Sequence, residues 1–149
     1  MEISSPVIPV PRSGKLGWYE KFKRHNFLLQ ESPAKVILIG DSLISNLSRY
    51  PDVWKNYFSI HNTVNFGIQG DKIQNILWRL NNLNFSKNCS IKYVFILGGT
   101  NNVDHNSPEE IANGLITSVL SAQAQCQNYH PSTTTWYQKF IEAGKYQCN

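Results

Sequence analysis

The amino-acid sequence predicts a doubly wound α/β fold built on a parallel sheet, and three observations carry the prediction. Short apolar runs alternate with segments of helical spacing, in the order β, α, β, α, β, α. The run at residues 36–39 is β-branched and uninterrupted, which is typical of a parallel strand buried on both faces. Each run ends in a polar loop that contains glycine. In such a sheet the carboxyl ends of the strands meet at one edge, where ligands bind.

The first half of the chain supplies an arm and two of the expected helices. Residues 1–14 are rich in proline and serine and predict an irregular arm. Residues 17–30 place apolar side chains at helical spacing with charged ones between them, which predicts an amphipathic helix. After the strand at 36–39, the Gly-Asp-Ser turn at residues 40–42 leads into a second helix over 43–48.

The second half of the chain repeats the alternation. A strand over 60–66 ends at Gly67, and helical spacing follows from Ile73. A third strand over 91–97 ends in a Gly-rich loop. Ser107, followed by a proline and two glutamates, is typical of a helix N-cap, so a final helix is predicted to begin there.

The composition changes beyond Leu120, where Gln, Ser and Thr dominate and no further apolar strand is found. We therefore divide the chain into an irregular arm at 1–14, a domain at 15–120 and a divergent polar tail at 121–149. With no later strand to pair with the third one, we expect its apolar edge to be exposed, which favours dimerisation or aggregation.

The bulk composition places the chain among ordinary globular proteins. Its 149 residues suffice for one hydrophobic core, with 41% apolar and 16% charged residues. The net charge of +4 predicts a solvated basic helix face rather than a nucleic-acid footprint. No signal peptide or membrane-spanning run is found, and three cysteines without metal-ligand spacing favour reduced thiols. We therefore expect a cytoplasmic protein with no membrane span and no nucleic-acid partner.

Three polar or glycine positions stand at the ends of the predicted strands. Ser42, at a strand-to-helix turn, is a candidate nucleophile or an N-cap. Gly67 is either a point of close ligand approach or a turn glycine, and Asn101 either points its amide at the same spot or bonds loop backbone. Together the three strand ends offer a nucleophile and donors for a developing oxyanion, which acyl transfer requires.

These residues lie in blocks that resemble the SGNH, or GDSL, hydrolases. The blocks are GDSL at residues 40–43, NFGIQGD at 65–71 and GTNN at 99–102. Flanking segments, including LWRL at 77–80, are similar to the catalytic subunits of the platelet-activating factor acetylhydrolase IB type. The resemblance covers about residues 17–120, with several blocks in the family's order and spacing.

The resemblance implies a flavodoxin-like, three-layer α/β/α fold with a parallel sheet. It implies that Ser42 attacks an ester carbonyl and that the backbone N–H groups of Ser42 and Gly67, with the Asn101 side chain, form the oxyanion hole. It also implies a small acyl-ester substrate, a dimer of like or unlike subunits, and no cofactor or metal. Trp78 and Arg79 are assigned structural roles.

The family's fourth block, a C-terminal Asp-x-x-His that supplies the general base, is missing from the pattern. His130 lies in a His-Pro-Ser segment like that block, but Gln127 stands where the aspartate should be, and a neutral amide does not stabilise an imidazolium as a carboxylate does. His130 is thus either a candidate base or part of an unrelated tail. The remaining histidines are expected to be surface or packing residues: His25, His61 and His105.

Three functions remain open at this point. The first is a C-terminally shortened serine ester hydrolase that works through a Ser42 acyl-enzyme, weak or inactive because the base is lost. The second is a non-catalytic binding or dimerisation module. The third is an esterase-like segment of a retrotransposon-encoded protein.

Overall fold

A computed structural model describes residues 5–88 and 90–129 of the chain. It contains three strands: β1 Val36–Gly40, β2 Thr63–Gly67 and β3 Tyr93–Leu97. Its α-helices are α1 Trp18–Glu31, α2 Ser42–Asn46, α3 Pro51–Val53, α4 Ile73–Asn82 and α5 Pro108–Tyr129. The α/β class is therefore confirmed. No helix of the described part is long and apolar enough to cross a membrane.

The three strands form one parallel sheet in the order β2-β1-β3. This order, with the first strand in the centre, is that of a flavodoxin-like sheet. Gly40 at the end of β1 pairs in register with Gly67 on one side and with Leu97 on the other. The carboxyl ends of all three strands therefore lie along one edge, as predicted.

Several boundaries differ from the sequence prediction. β2 begins at Thr63 rather than at residue 60, because residues Ser59–His61 form a 3-10 turn and Asn62 adopts a left-handed φ of 53°. The last helix, for which no end was predicted, continues beyond Leu120 into the segment assigned to the polar tail. Ala122 and Cys126, four residues apart on one face of α5, are buried in the core and hold this extension in place.

One face of the sheet, which we call the covered face, carries the hydrophobic core. The helices α1, α4 and α5 supply much of this core, and Trp18 and Phe22 of α1 pack their rings against Trp78 of α4. Alternate strand residues face this layer: Ile37, Ile39, Val64, Phe66, Val94 and Ile96. The alternation follows from the period of two along a strand.

The opposite face of the sheet, which we call the open face, is covered only in part. Beneath β1 and β2 it is packed by α2, but along β3 three large apolar side chains are exposed. Tyr93 is 39% exposed, Phe95 52% and Leu97 44%. Among the described residues no strand pairs with the outer edge of β3. The expected exposed apolar edge is therefore present in this part of the chain.

Candidate active site

Ser42 is the first residue of α2 and lies two positions beyond the end of β1. Asp41, not Ser42, caps this helix, because its carboxylate accepts the Leu43 N–H at 2.9 Å. Ser42 is half-buried, and its hydroxyl makes no hydrogen bond with any described residue. The structure therefore does not support the N-cap alternative for Ser42. Its hydroxyl group is left available at the strand-end edge.

Gly67 is held against α2 more tightly than a simple turn glycine would be. A Cβ atom at Gly67 would lie 2.1 Å from the Ser45 nitrogen, so no larger residue fits there. The Gly67 N–H, the expected oxyanion donor, instead donates to Asn65 Oδ1 at 2.9 Å. Asn65 also donates through Nδ2 to the Ile44 carbonyl at 2.8 Å. Asn65, which the sequence analysis missed, thus ties β2 to α2, and the Gly67 N–H is already engaged.

The loop after β2 is bonded to both neighbouring strand ends. Ile68 N–H donates to the Gly40 carbonyl at 2.9 Å, and Asn101 Nδ2 donates to the Asp71 carbonyl at 2.8 Å. The structure therefore brings Asn101 to the predicted edge, but one of its two amide N–H groups bonds loop backbone. The second N–H is the one left for a ligand.

Gly70 is a backbone donor at the same edge that the sequence analysis did not consider. It has a φ of 77°, the left-handed region that favours glycine. Its N–H has no acceptor among the described residues, whereas that of Gly67 has one. The sequence signal that could have identified Gly70 is the glycine of the Gln-Gly-Asp segment, because a glycine in a loop is typical of a turn position with positive φ.

A buried network beneath the loop fixes the ends of β1 and β2. The guanidinium of Arg79, which is 1% exposed, donates to the Phe66 carbonyl at 2.6 Å and to the Gly40 carbonyl at 2.9 Å. It also lies 2.9 Å from the Asp71 carboxylate, which accepts the Trp18 indole N–H at 2.7 Å. Burial raises the pKa of Asp71, and Arg79 and the indole oppose that shift. Arg79 thus has the predicted structural role, at the base of the site.

No histidine of the described residues is hydrogen-bonded to Ser42. His25 is buried and stacked on the Phe66 ring at 4.6 Å, and burial lowers its pKa to about 3. His61 is exposed just before β2, and His105 is exposed in a turn after β3. The candidate base His130 lies outside the described residues, and the side chain of Gln127, which stands in the aspartate position, is not among the described side chains either. Nor does this part of the chain hold a cluster of metal-ligating side chains.

A separate apolar groove of about 620 Å³ lies on the open face. Leu38, Ile44 and Phe95 line it, together with side chains from the turns that precede β2. Ser42 does not line this groove. The groove and the strand-end edge are therefore two different features.

Relatives of the chain are subunits of platelet-activating factor acetylhydrolase IB. The alpha2 subunit of Homo sapiens is 33% identical over 98 residues, which cover 66% of this chain and 42% of that subunit. The beta homolog of Drosophila melanogaster is 30% identical over 125 residues, covering 82% of this chain and 54% of that protein. The chain is related to the SGNH hydrolases. The resemblance inferred from the sequence blocks is confirmed.

The fold of this SGNH relative also matches a solved structure. A Streptococcus pneumonia protein described as a candidate platelet activating factor superposes with a TM-score of 0.58 at 22% identity, covering 78% of this chain and 51% of that one. At this identity the likeness concerns the fold alone. No protein-family model matches the chain. The chain spans about half the length of the curated relatives it matches.

Proposed function

We propose that this chain is the nucleophile-bearing part of a serine ester hydrolase domain that acts on a small acyl ester. The observation that carries the proposal is that Asp41, and not Ser42, caps the N-terminus of α2. Because Asp41 caps the helix, the Ser42 hydroxyl is free to attack a carbonyl carbon at the edge where the strand ends meet. Attack would form a Ser42 acyl-enzyme, expel the alcohol and leave water to release the acid.

The oxyanion formed in that attack needs donors that are not already engaged. The second amide N–H of Asn101 and the backbone N–H of Ser42 meet this requirement, whereas the Leu43 N–H is already bonded to the Asp41 carboxylate. Gly70 meets it better than Gly67, whose N–H would first have to leave Asn65. We therefore place Gly70 beside Ser42 and Asn101 as a donor, and assign Gly67 to the close packing of α2.

The proton of the Ser42 hydroxyl must go to a base, and the rate depends on where that base comes from. Loss of a triad member lowers kcat by about 10⁴ to 10⁶. With Gln127 in the aspartate position, His130 remains a hypothesis. We therefore expect slow turnover from this chain compared with a complete triad.

A fluorophosphonate probe tests the proposal, because it phosphonylates only serines that are activated as nucleophiles. The wild type should be labelled and Ser42→Ala should not. Ser48→Ala, which removes an exposed hydroxyl of the following turn, is the matched control and should be labelled like the wild type. A folded wild type without labelling would contradict the hydrolase proposal. Slower labelling of His130→Ala would assign the base to His130.

The second candidate is a non-catalytic module that associates with another copy of the chain. The exposed side chains of Tyr93, Phe95 and Leu97 favour it, because they lie on β3, whose outer edge has no partner strand among the described residues. Sedimentation of the purified chain over a range of concentrations tests it. The retrotransposon-encoded alternative stays a prediction.

A further inference from the structure

The N-terminal arm is held against the start of α4 by two hydrogen bonds to Val10. Val10 N–H donates to the Gln74 carbonyl at 3.1 Å, and Asn75 Nδ2 donates to the Val10 carbonyl at 3.0 Å. Pro6 of the arm is buried and packs on Gly114 of α5. The arm therefore docks on α4 and α5 and carries its following residues toward the loop after β2.

Two cationic side chains of this segment converge on a single carbonyl of that loop. Arg12 Nη1 donates to the Gln69 carbonyl at 2.8 Å, and Lys15 Nζ donates to the same oxygen. Both side chains are half-buried. Among the described residues, neither is paired with a carboxylate.

The absence of a side chain at Gly70 is what allows this arrangement. The Arg12 guanidinium lies over the Gly70 Cα, where a Cβ would stand 2.6 Å from Nη1 and 2.9 Å from Nη2. Gly70 also needs its positive φ of 77°. A glycine thus serves both the turn and the close approach of a cation to the backbone of the loop.

The positive charges of Arg12 and Lys15 are not neutralised by a bound carboxylate of the described residues. Two like charges share one neutral acceptor, and burial together with Arg12 lowers the pKa of Lys15. Asp71 opposes this shift in the pKa of Lys15, but its carboxylate already binds Arg79 and Trp18. Since an ammonium has three donors and a guanidinium five, most of their N–H groups remain available.

We propose that Arg12 and Lys15 form an anion-binding subsite for a carboxylate or phosphate group on the loop after β2, at the strand-end edge to which Ser42 also belongs. Gln69, whose carbonyl accepts from both cations, directly follows Ile68, and the Ile68 N–H donates to the Gly40 carbonyl at the end of β1. In this arrangement the substrate is an ester that also carries an anionic group, and this group binds Arg12 and Lys15 while Ser42 attacks the ester carbonyl. This substrate assignment rests on the proposed hydrolase function, whereas anion binding itself does not.

Phosphate binding tests the subsite without any need for turnover. Inorganic phosphate is titrated into the full chain in a non-phosphate buffer, with calorimetry as the readout. Arg12→Gln combined with Lys15→Gln should weaken phosphate binding at least about tenfold, because charge-assisted hydrogen bonds are lost. The matched control combines Lys35→Gln with Lys92→Gln, which removes two exposed cations elsewhere on the chain. Equal affinity in the wild type and the subsite variant, or an equal loss in the control variant, would overturn the proposal.

Competition with the fluorophosphonate probe shows whether the subsite binds an anionic group of the substrate or a free anion. Phosphate should slow the labelling of Ser42 in the wild type but not in the Arg12 and Lys15 double variant, if the anion belongs to the substrate. Labelling that phosphate leaves unchanged would overturn the substrate assignment and assign the subsite to a free anion. A chain that binds phosphate but is never labelled would refute the hydrolase function and leave the anion site standing.

Discussion

The two faces of the sheet differ in how completely they are covered, although they are built from the same three strands. On the covered face, Ile37, Ile39 and Phe66 are fully buried beneath α1 and α4. On the open face, Phe95 is half exposed and borders an apolar groove. Adjacent residues of β3 point to opposite faces, so a shift of one position decides whether a side chain is in the core or exposed.

This difference shows where the site obtains its rigidity. Arg79 reaches from the covered face to the carbonyls of Gly40 and Phe66, so the ends of β1 and β2 are fixed from that side. The candidate nucleophile, Ser42, stands two positions after the Gly40 carbonyl. The open face contributes packing by α2 and leaves β3 with an unpaired edge. Stability and site geometry should therefore depend mainly on the covered face.

The largest expected effect comes from removing the Arg79 guanidinium. Arg79→Met should lower the free energy of unfolding by about 3–5 kcal/mol, because it leaves the Asp71 carboxylate buried without its cation and two carbonyls without their donor. Urea unfolding followed by circular dichroism measures the change. Arg24→Met, on the exposed side of α1, is the control and should change stability by less than about 0.5 kcal/mol. Similar losses in both variants would contradict the structural role of Arg79.

The next effect is a loss of stability in acid caused by His25, also on the covered face. In the unfolded chain this imidazole takes a proton near its ordinary pKa of 6.5, whereas in the fold burial lowers its pKa to about 3. The unfolded state therefore binds more protons, and stability falls as the pH drops from about 6.5 toward 3. At pH 4 the loss from this group is about 3 kcal/mol.

Urea unfolding at pH 7, 5 and 4 measures that dependence. His25→Phe, which keeps an aromatic ring against Phe66, should remove this component of the acid sensitivity. His105→Gln alters an exposed imidazole and should keep the wild-type profile. An unchanged acid profile in His25→Phe would mean that carboxylates alone cause the loss.

Much of the fold was predictable because its determinants are local in the sequence. The β-branched run of β1 and the Ser107–Pro108 start of α5 identified their elements correctly, and the Ser107 N–H and hydroxyl do bond with Glu110. The extension of α5 beyond Leu120 was not predicted, because its Gln-rich surface hides two buried residues four positions apart. Tertiary burial, rather than composition, determines such a boundary.

The candidate site was predictable in its location but not in its hydrogen bonding. Parallel strands bring Ser42, Gly67 and Asn101 to one edge, which follows from topology. Which N–H is free depends on side chains that approach from another strand or loop, as Asn65 does at Gly67. The pairing of Arg12 with Gly70 likewise joins residues 58 positions apart, and no local pattern indicates it.

Ile96 and Phe95, neighbours on β3, provide a matched test of the two faces. Ile96 packs against the core from the covered face. Ile96→Ala should lower the free energy of unfolding by about 2 kcal/mol, the lower end of the range for such truncations, because the side chain is only partly buried. Urea unfolding measures it, with Ile60→Ala, an exposed isoleucine before β2, as the control. A cost at Ile96 no larger than at Ile60 would show that β3 is not anchored to the covered face.

The smallest effect on stability should come from Phe95, although that variant removes more atoms than Ile96→Ala does. Because the side chain is 52% exposed, Phe95→Ala should cost less than about 1 kcal/mol. It should instead weaken self-association, since it removes the centre of the apolar row between Tyr93 and Leu97. Sedimentation velocity over a range of concentrations measures this, with Ile96→Ala as the reference. A variant with lower stability and unchanged association would assign Phe95 to the core, and the two faces of β3 would then be equivalent.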